Sequence, residues 1–221
     1  MASGLCDLEQ RRHMDEIIAY LQKKYDPAAI LVYGSFADGT QSENSDFDAL
    51  VLSQTHREFH DTSFVGETQL DVFVYPLSLF QGEYHPETFV QVYGGIPVMD
   101  TQGVGRTLLQ QVENYMKTLP GKTPEEQEGE LRWCRKMLLR AKRQDAEGAY
   151  RWHWLLTESL EIFCDIAGYP YLGPKKSLGF LKKENPAAYG CYTRALTDFR
   201  YDTLKAWIDC MENTRTQSDS L

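Results

Sequence analysis

The spacing of apolar and polar positions divides the chain into a front part that mixes helix with short strands and a back part that is helical throughout. Between Leu5 and Tyr25, residues Leu8, His13, Ile17, Ile18, Leu21 and Tyr25 recur at roughly helical spacing and predict an amphipathic helix. Asp26-Pro27 ends it, because a residue before proline avoids the helical region. Ala28 to Tyr33 is an apolar run that predicts a strand, and it stops at Gly34-Ser35. Further strands are expected over Phe47 to Leu52, Gln69 to Tyr75 and Ile96 to Met99, the last at a sheet edge because it contains Pro97. The stretch between Ser53 and Glu67 reads as a loop or hairpin end. His56 and His60 lie four apart in it, without a suitable third metal ligand. Leu77 to Phe80 starts a short helix, and Val104 to Met116 is a longer one with Leu108, Leu109, Val112 and Met116 as its apolar stripe.

Leu119-Pro120-Gly121-Lys122 combines turn residues with a change in charge and marks a domain boundary. Behind it, Thr123 as N-cap, Pro124 at N1 and Glu126 at N3 predict a capping box and a helix running to about Gln144. A second long helix is expected over Ala146 to Ala167, closed by Gly168. Its apolar face holds Trp152, Leu155, Leu156, Leu160, Phe163 and Ile166, interrupted by Ser159. Helices over Lys175–Lys182, Asn185–Thr197 and Tyr201–Glu212 follow, and the polar tail from Thr214 is expected to fray. The fold class is α+β: a small mixed β-sheet domain with flanking helices over residues 1–120, then an all-α helical bundle over residues 121–221.

Charge narrows the partners. The net charge is −9, and it is unevenly placed. Residues 1–120 hold 7 Lys/Arg against 17 Asp/Glu, net −10; residues 121–221 hold 16 against 15, net +1. An acidic front half argues against nucleic acid as a partner, which needs clustered basic residues. It suits metal ions and a cationic small molecule. No run approaches the length of a membrane span, and the N-terminus lacks the apolar core of a signal peptide. The five cysteines are odd in number and form no CxxC pair, so reduced thiols and a cytoplasmic location are the simple expectation.

The candidate chemistry sits at the strand ends. Asp46 and Asp48, two apart at the mouth of the second strand, point the same way. Their charges repel unless a cation lies between them, and hard oxygen ligands suit Mg²⁺. Asp71 is an acid inside an otherwise apolar strand, a costly placement unless it is paired or metal-bound. Gly34 permits a sharp bend and close backbone approach, and Ser35 offers a hydroxyl and an N–H to a phosphate oxygen.

In this order, Gly34-Ser35, then Ser45-Asp46-Phe47-Asp48, then a lone Asp71 on a later strand, the chain resembles the polymerase-beta-type nucleotidyltransferase superfamily over about Ala28 to Pro76. The resemblance implies two Mg²⁺ ions held by Asp46, Asp48 and Asp71, with Asp71 as the best candidate base. It implies ATP or another NTP as co-substrate, its β- and γ-phosphates held by Gly34 and Ser35. A sheet domain followed by helices is similar to the aminoglycoside and lincosamide nucleotidyltransferases, which implies a small-molecule acceptor, possibly cationic, and a monomer or homodimer. By the same likeness Glu158 is a second candidate base, against a plain solvated helix face. Lys175 and Lys176 either reach phosphates or simply begin a basic helix. Two other functions fit the same residues: adenylylation of a protein partner, as in antitoxin-like regulators, and nucleotide binding without turnover.

Overall fold

The structure, a computed structural model, describes the backbone of residues 2–218 and the side chains of residues 11–216. It divides into two compact units, at Leu119/Pro120. The architecture is α+β, with a small mixed sheet in the first unit and helices alone in the second.

In the first unit, α1 (Ala2–Tyr25) leads into β1 (Pro27–Val32), α2 (Ser35–Asp38), β2 (Phe47–Ser53), β3 (Phe59–Asp61), β4 (Phe64–Val65), β5 (Thr68–Pro76), β6 (Ile96–Asp100) and α3 (Val104–Thr118), with 3₁₀ turns at Leu77–Gln81 and Pro86–Val92. Asp26 ends α1 in the left-handed region, at φ +44°. The strand order is β3-β5-β2-β1-β6, and β4 pairs with the start of β5. β1 runs antiparallel to β2 and β6, whereas β2 and β5 are parallel. The Pro97-containing strand β6 lies at the edge.

Alternation along the strands sorts the core into two layers. Ile30, Val32, Ala49, Val51, Val72 and Val74 pack with Ile17, Leu21 and Tyr25 of α1 on one face. Ala29, Leu31, Leu50 and Leu52 pack with Leu108 and Val112 of α3 on the other, beside the rings of Tyr75, Phe80 and Phe89. Both central strands are covered on both faces, which is why they read as near-continuous apolar runs.

β3 and β4 fall where the sequence predicts a loop or hairpin end. β3 is tied down from the α1 side: Asp61, 6% exposed, accepts hydrogen bonds from Lys24 (2.9 Å), the Ser63 backbone N–H (3.0 Å) and the Tyr25 hydroxyl. Burial works to raise the Asp61 pKa, but the bonds from Tyr25, Ser63 and Lys24 outweigh it and bring the carboxyl down to about 2. A carboxyl depressed below its unfolded value of about 4 contributes stability above that pH and loses it as the pH falls through the folded value. Asp61→Ala should therefore lower unfolding stability by about 2–3 kcal/mol at neutral pH. In urea titrations the gap from the wild type should close between about pH 4 and pH 2; a gap that stays constant across that range would contradict this account.

The second unit contains α4 (Pro124–Arg140), α5 (Ala146–Ala167), α6 (Gly173–Glu184), α7 (Pro186–Thr197) and α8 (Tyr201–Ser218). The Thr123/Glu126 capping box is formed. α4 stops at Arg140, earlier than its pattern suggests, because Asp145 takes over as N-cap of α5 by accepting from Gly148 N–H at 2.9 Å. Ser159 is fully buried because its hydroxyl accepts the Trp207 indole N–H at 2.9 Å in the centre of the bundle. α8 stays helical to Ser218, past the expected fraying at Thr214. Arg215 bonds Glu128 of α4 at 2.8 Å and the Pro124 carbonyl at 3.1 Å, which holds its last turns. Residues 219–221 lie outside the described residues. Among the described residues no helix is long and apolar enough to cross a membrane.

Candidate active site

The parallel pairing of β2 with β5 sets the site. Its register places Asp48 opposite Asp71. Both share the α3-side parity of Leu50, Phe73 and Tyr75, so the two carboxylates stand side by side on one face at the strand mouths. Like charges opposite one another in a ladder are destabilising. Their joint field reaches Tyr33, at the end of β1 on the same face. Burial, then the charges of Asp71 and Asp48, raise its phenol well above the ordinary value and keep it neutral.

Gly34 closes this mouth. Its backbone sits at φ +64°, a left-handed conformation that glycine adopts without penalty. A Cβ at this position would lie 2.3 Å from Asp48 Oδ2, so only a bare backbone leaves room for that carboxylate. The Gly34 carbonyl accepts from Ala37 and Asp38 N–H, which opens the single turn of α2, and Ser35 is buried in that turn. Tyr33 N–H bonds the Asp48 carbonyl at 3.1 Å, fixing the bend against the start of β2.

Asp46 is exposed and precedes β2, which begins at Phe47. Among the described residues no group of three or more His, Cys, Asp or Glu side chains is gathered as a metal cluster. The structure thus joins Asp48, Asp71, Gly34 and Ser35, while Asp46 stays off the ladder. The paired carboxylates are the donor type that a hard divalent cation takes. Lys175 and Lys176 belong to the first turn of α6, and Glu158 is exposed on α5, all in the second unit.

His60, read from the sequence as part of a loop or hairpin end without a third metal ligand, lies beside the Asp48–Asp71 pair. Its Nε2 lies 2.5 Å from Asp71 Oδ1, and its ring stacks on Phe73 with centroids 4.3 Å apart and planes 1° from parallel. β3 makes this possible, since His60 is the register partner of Phe73 and the neighbouring Asp61 anchors the strand to α1.

The sequence profile described as "Polymerase beta, Nucleotidyltransferase" matches residues 15–92, which span β1 to β5 and contain the whole site. This segment is a polymerase-beta-type nucleotidyltransferase domain. Nucleotidyl transfer is the chemistry of that domain family. Among solved structures, a nucleotidyltransferase-like protein from Exiguobacterium sibiricum 255-15 is similar over 95% of this chain and 75% of its own, at 11% identity and a TM-score of 0.34. No curated protein matches the chain.

Within the nucleotidyltransferase site, His60 orients one oxygen of Asp71. Partners of this kind, lying outside the ligand set, are commonly worth 10–100-fold in activity. His60→Phe keeps the stacked ring and removes the N–H, so it should lower kcat by roughly tenfold or more with little change in the KM for nucleotide. His60→Gln should restore part of the loss. Steady-state kinetics on the two variants check this, and equal kcat in His60→Phe and wild type would refute it.

Proposed function

We propose that the protein transfers a nucleoside monophosphate, AMP from ATP, to a hydroxyl of a small cationic molecule of the aminoglycoside or lincosamide type. The observation that carries the catalytic half is the Asp48–Asp71 pair lying against Gly34. Asp48 and Asp71, together with Asp46 of the loop before β2, would hold Mg²⁺. When bound, the ion neutralises phosphate charge and acidifies the attacking hydroxyl. Gly34 and Ser35 would bind the outer phosphates. Asp71 would take the acceptor proton while His60 holds its Oδ1.

The acceptor half is supported by a cavity of about 370 Å³ within the helical unit. Trp133 and Trp154 meet edge-on in its wall, with centroids 5.4 Å apart. Glu130, Glu158 and Glu161 also line it beside Lys122, and the Arg151 guanidinium lies over the Trp154 ring at 5.3 Å. Burial disfavours the Lys122 ammonium, but bonds to Asp165 (2.6 Å) and Glu130 raise its pKa, so Lys122 is already spoken for. Among the described residues Glu158 and Glu161 form no ion pair. Aromatic faces beside unpaired carboxylates favour an organic cation. Glu158 would bind the cationic acceptor.

Incubation with α-labelled ATP and Mg²⁺ over a panel of aminoglycosides and lincosamides tests the reading. Label on a drug is the expected result. Label on a protein, or nucleotide binding with no transfer, would overturn the small-molecule assignment.

A further inference from the structure

A second cavity of the helical unit, about 520 Å³ in volume, opens where the turn between α4 and α5 and the first turns of α5 meet the link from α7 to α8. Three features of its wall are unexplained by folding alone. Phe199 has φ +46°, a left-handed conformation that costs a bulky residue about 1–2 kcal/mol. Its ring is nevertheless 58% exposed, stacked on Trp152 (6.2 Å, 19°) and edge-on to His153 at 5.4 Å. Trp152 is 8% exposed, and its indole N–H is buried with no hydrogen-bond partner among the described residues. A buried donor left unsatisfied costs about 1–3 kcal/mol. Lys142 completes the wall, with Nζ 4.7 Å over the Tyr201 ring. Among the described residues Lys142 has no carboxylate partner, whereas neighbouring Arg143 is held by Asp145 at 2.6 Å and Glu147 at 2.8 Å.

Each feature asks for a different part of one ligand. The exposed ring of Phe199 offers a stacking face. The indole N–H lacks an acceptor, and the Lys142 ammonium lacks an anion. We propose that this cavity binds an aromatic carboxylate, with its ring against Phe199 and its carboxylate shared by Lys142 and the Trp152 N–H. The N–H is closed to solvent in this state, so the carboxylate reaches it as the Phe199 ring gives way. A neutral aromatic leaves Lys142 unanswered, and a simple carboxylate forgoes the stacking. The site is separate from the cavity holding Glu158 and does not depend on nucleotidyl transfer.

The test follows the indole N–H resonances of ¹⁵N-labelled full-length protein, with Trp152 assigned by its loss in Trp152→Phe. 2-Naphthoate should shift the Trp152 signal downfield and leave that of Trp207, already bonded to Ser159, in place. Neither 2-naphthalenemethanol nor acetate should do so at the same concentration. Lys142→Met and Phe199→Gly should each weaken 2-naphthoate binding by about tenfold, the scale of one charge or one stacked ring. Phe199→Gly should also melt no earlier than wild type, because glycine accepts φ +46° without strain. The proposal is overturned if 2-naphthoate leaves Trp152 unmoved, if the neutral alcohol shifts it equally, or if Phe199→Gly binds with full affinity.

Discussion

Asp48→Ala abolishes nucleotidyl transfer, a fall of about 10³-fold or more, or some 4 kcal/mol of lost transition-state stabilisation. The same variant should unfold close to the wild-type temperature. Both expectations come from one geometry. Asp48 stands beside Asp71 in the parallel ladder, on the face that also carries Tyr33. Two adjacent carboxylates repel each other, and a cation or a substrate that answers their charge would use both. Removing one takes away the chemistry and relieves the repulsion. Single-turnover transfer from labelled ATP and a thermal melt on the same sample check the pair of outcomes. A variant that keeps a tenth of wild-type transfer, or that melts many degrees early, would show that Asp48 serves the fold more than the reaction.

Gly34→Ala is expected to be nearly as damaging, and by a different route. The new methyl would sit 2.3 Å from Asp48 Oδ2, and the backbone would have to hold φ +64° with a side chain attached. The strain alone costs about 1–2 kcal/mol. The larger effect is on position, because the carboxylate must turn away from the mouth. A misplacement near 1 Å in a reacting constellation is worth about 10²-fold in rate. Stability separates clash from strain. In Asp48→Ala/Gly34→Ala the carboxylate is gone, so the glycine substitution should cost less than it does alone. Additive stability losses in this double-mutant cycle would refute a direct contact between the two residues.

The sheet was largely legible because its signals are local. Ala28–Tyr33 and Phe47–Leu52 are unbroken apolar runs, and such runs form strands buried on both faces. The acid at Asp71 declared itself by interrupting one. In the helical unit, Thr123 and Glu126 specify a helix start through their own bonds. What stayed hidden depended on pairing at a distance. β3 is three residues long, with no period to read, and exists because β5 offers it an edge and Asp61 binds Lys24 and Tyr25 of α1. His60 comes within reach of Asp71 only through that pairing, so as a residue in a polar loop it resembled surface. Spacing puts Asp46 two before Asp48, and β2 begins at Phe47, as its apolar run predicts, with Asp46 in the loop just before it. The strain at Phe199, in the wall of the second helical cavity, was also beyond sequence reasoning, since it shows only as a dihedral angle.

The account stands most directly on metal binding at the paired carboxylates. Mn²⁺, as a paramagnetic stand-in for Mg²⁺, can be titrated by electron paramagnetic resonance in the presence of a non-hydrolysable ATP analogue. Wild-type protein should take up the ion together with the nucleotide, and Asp48→Asn, which keeps the shape and removes the charge, should bind it at least about tenfold more weakly. Equal Mn²⁺ affinity in the two proteins would contradict the assignment of this strand mouth as the catalytic centre.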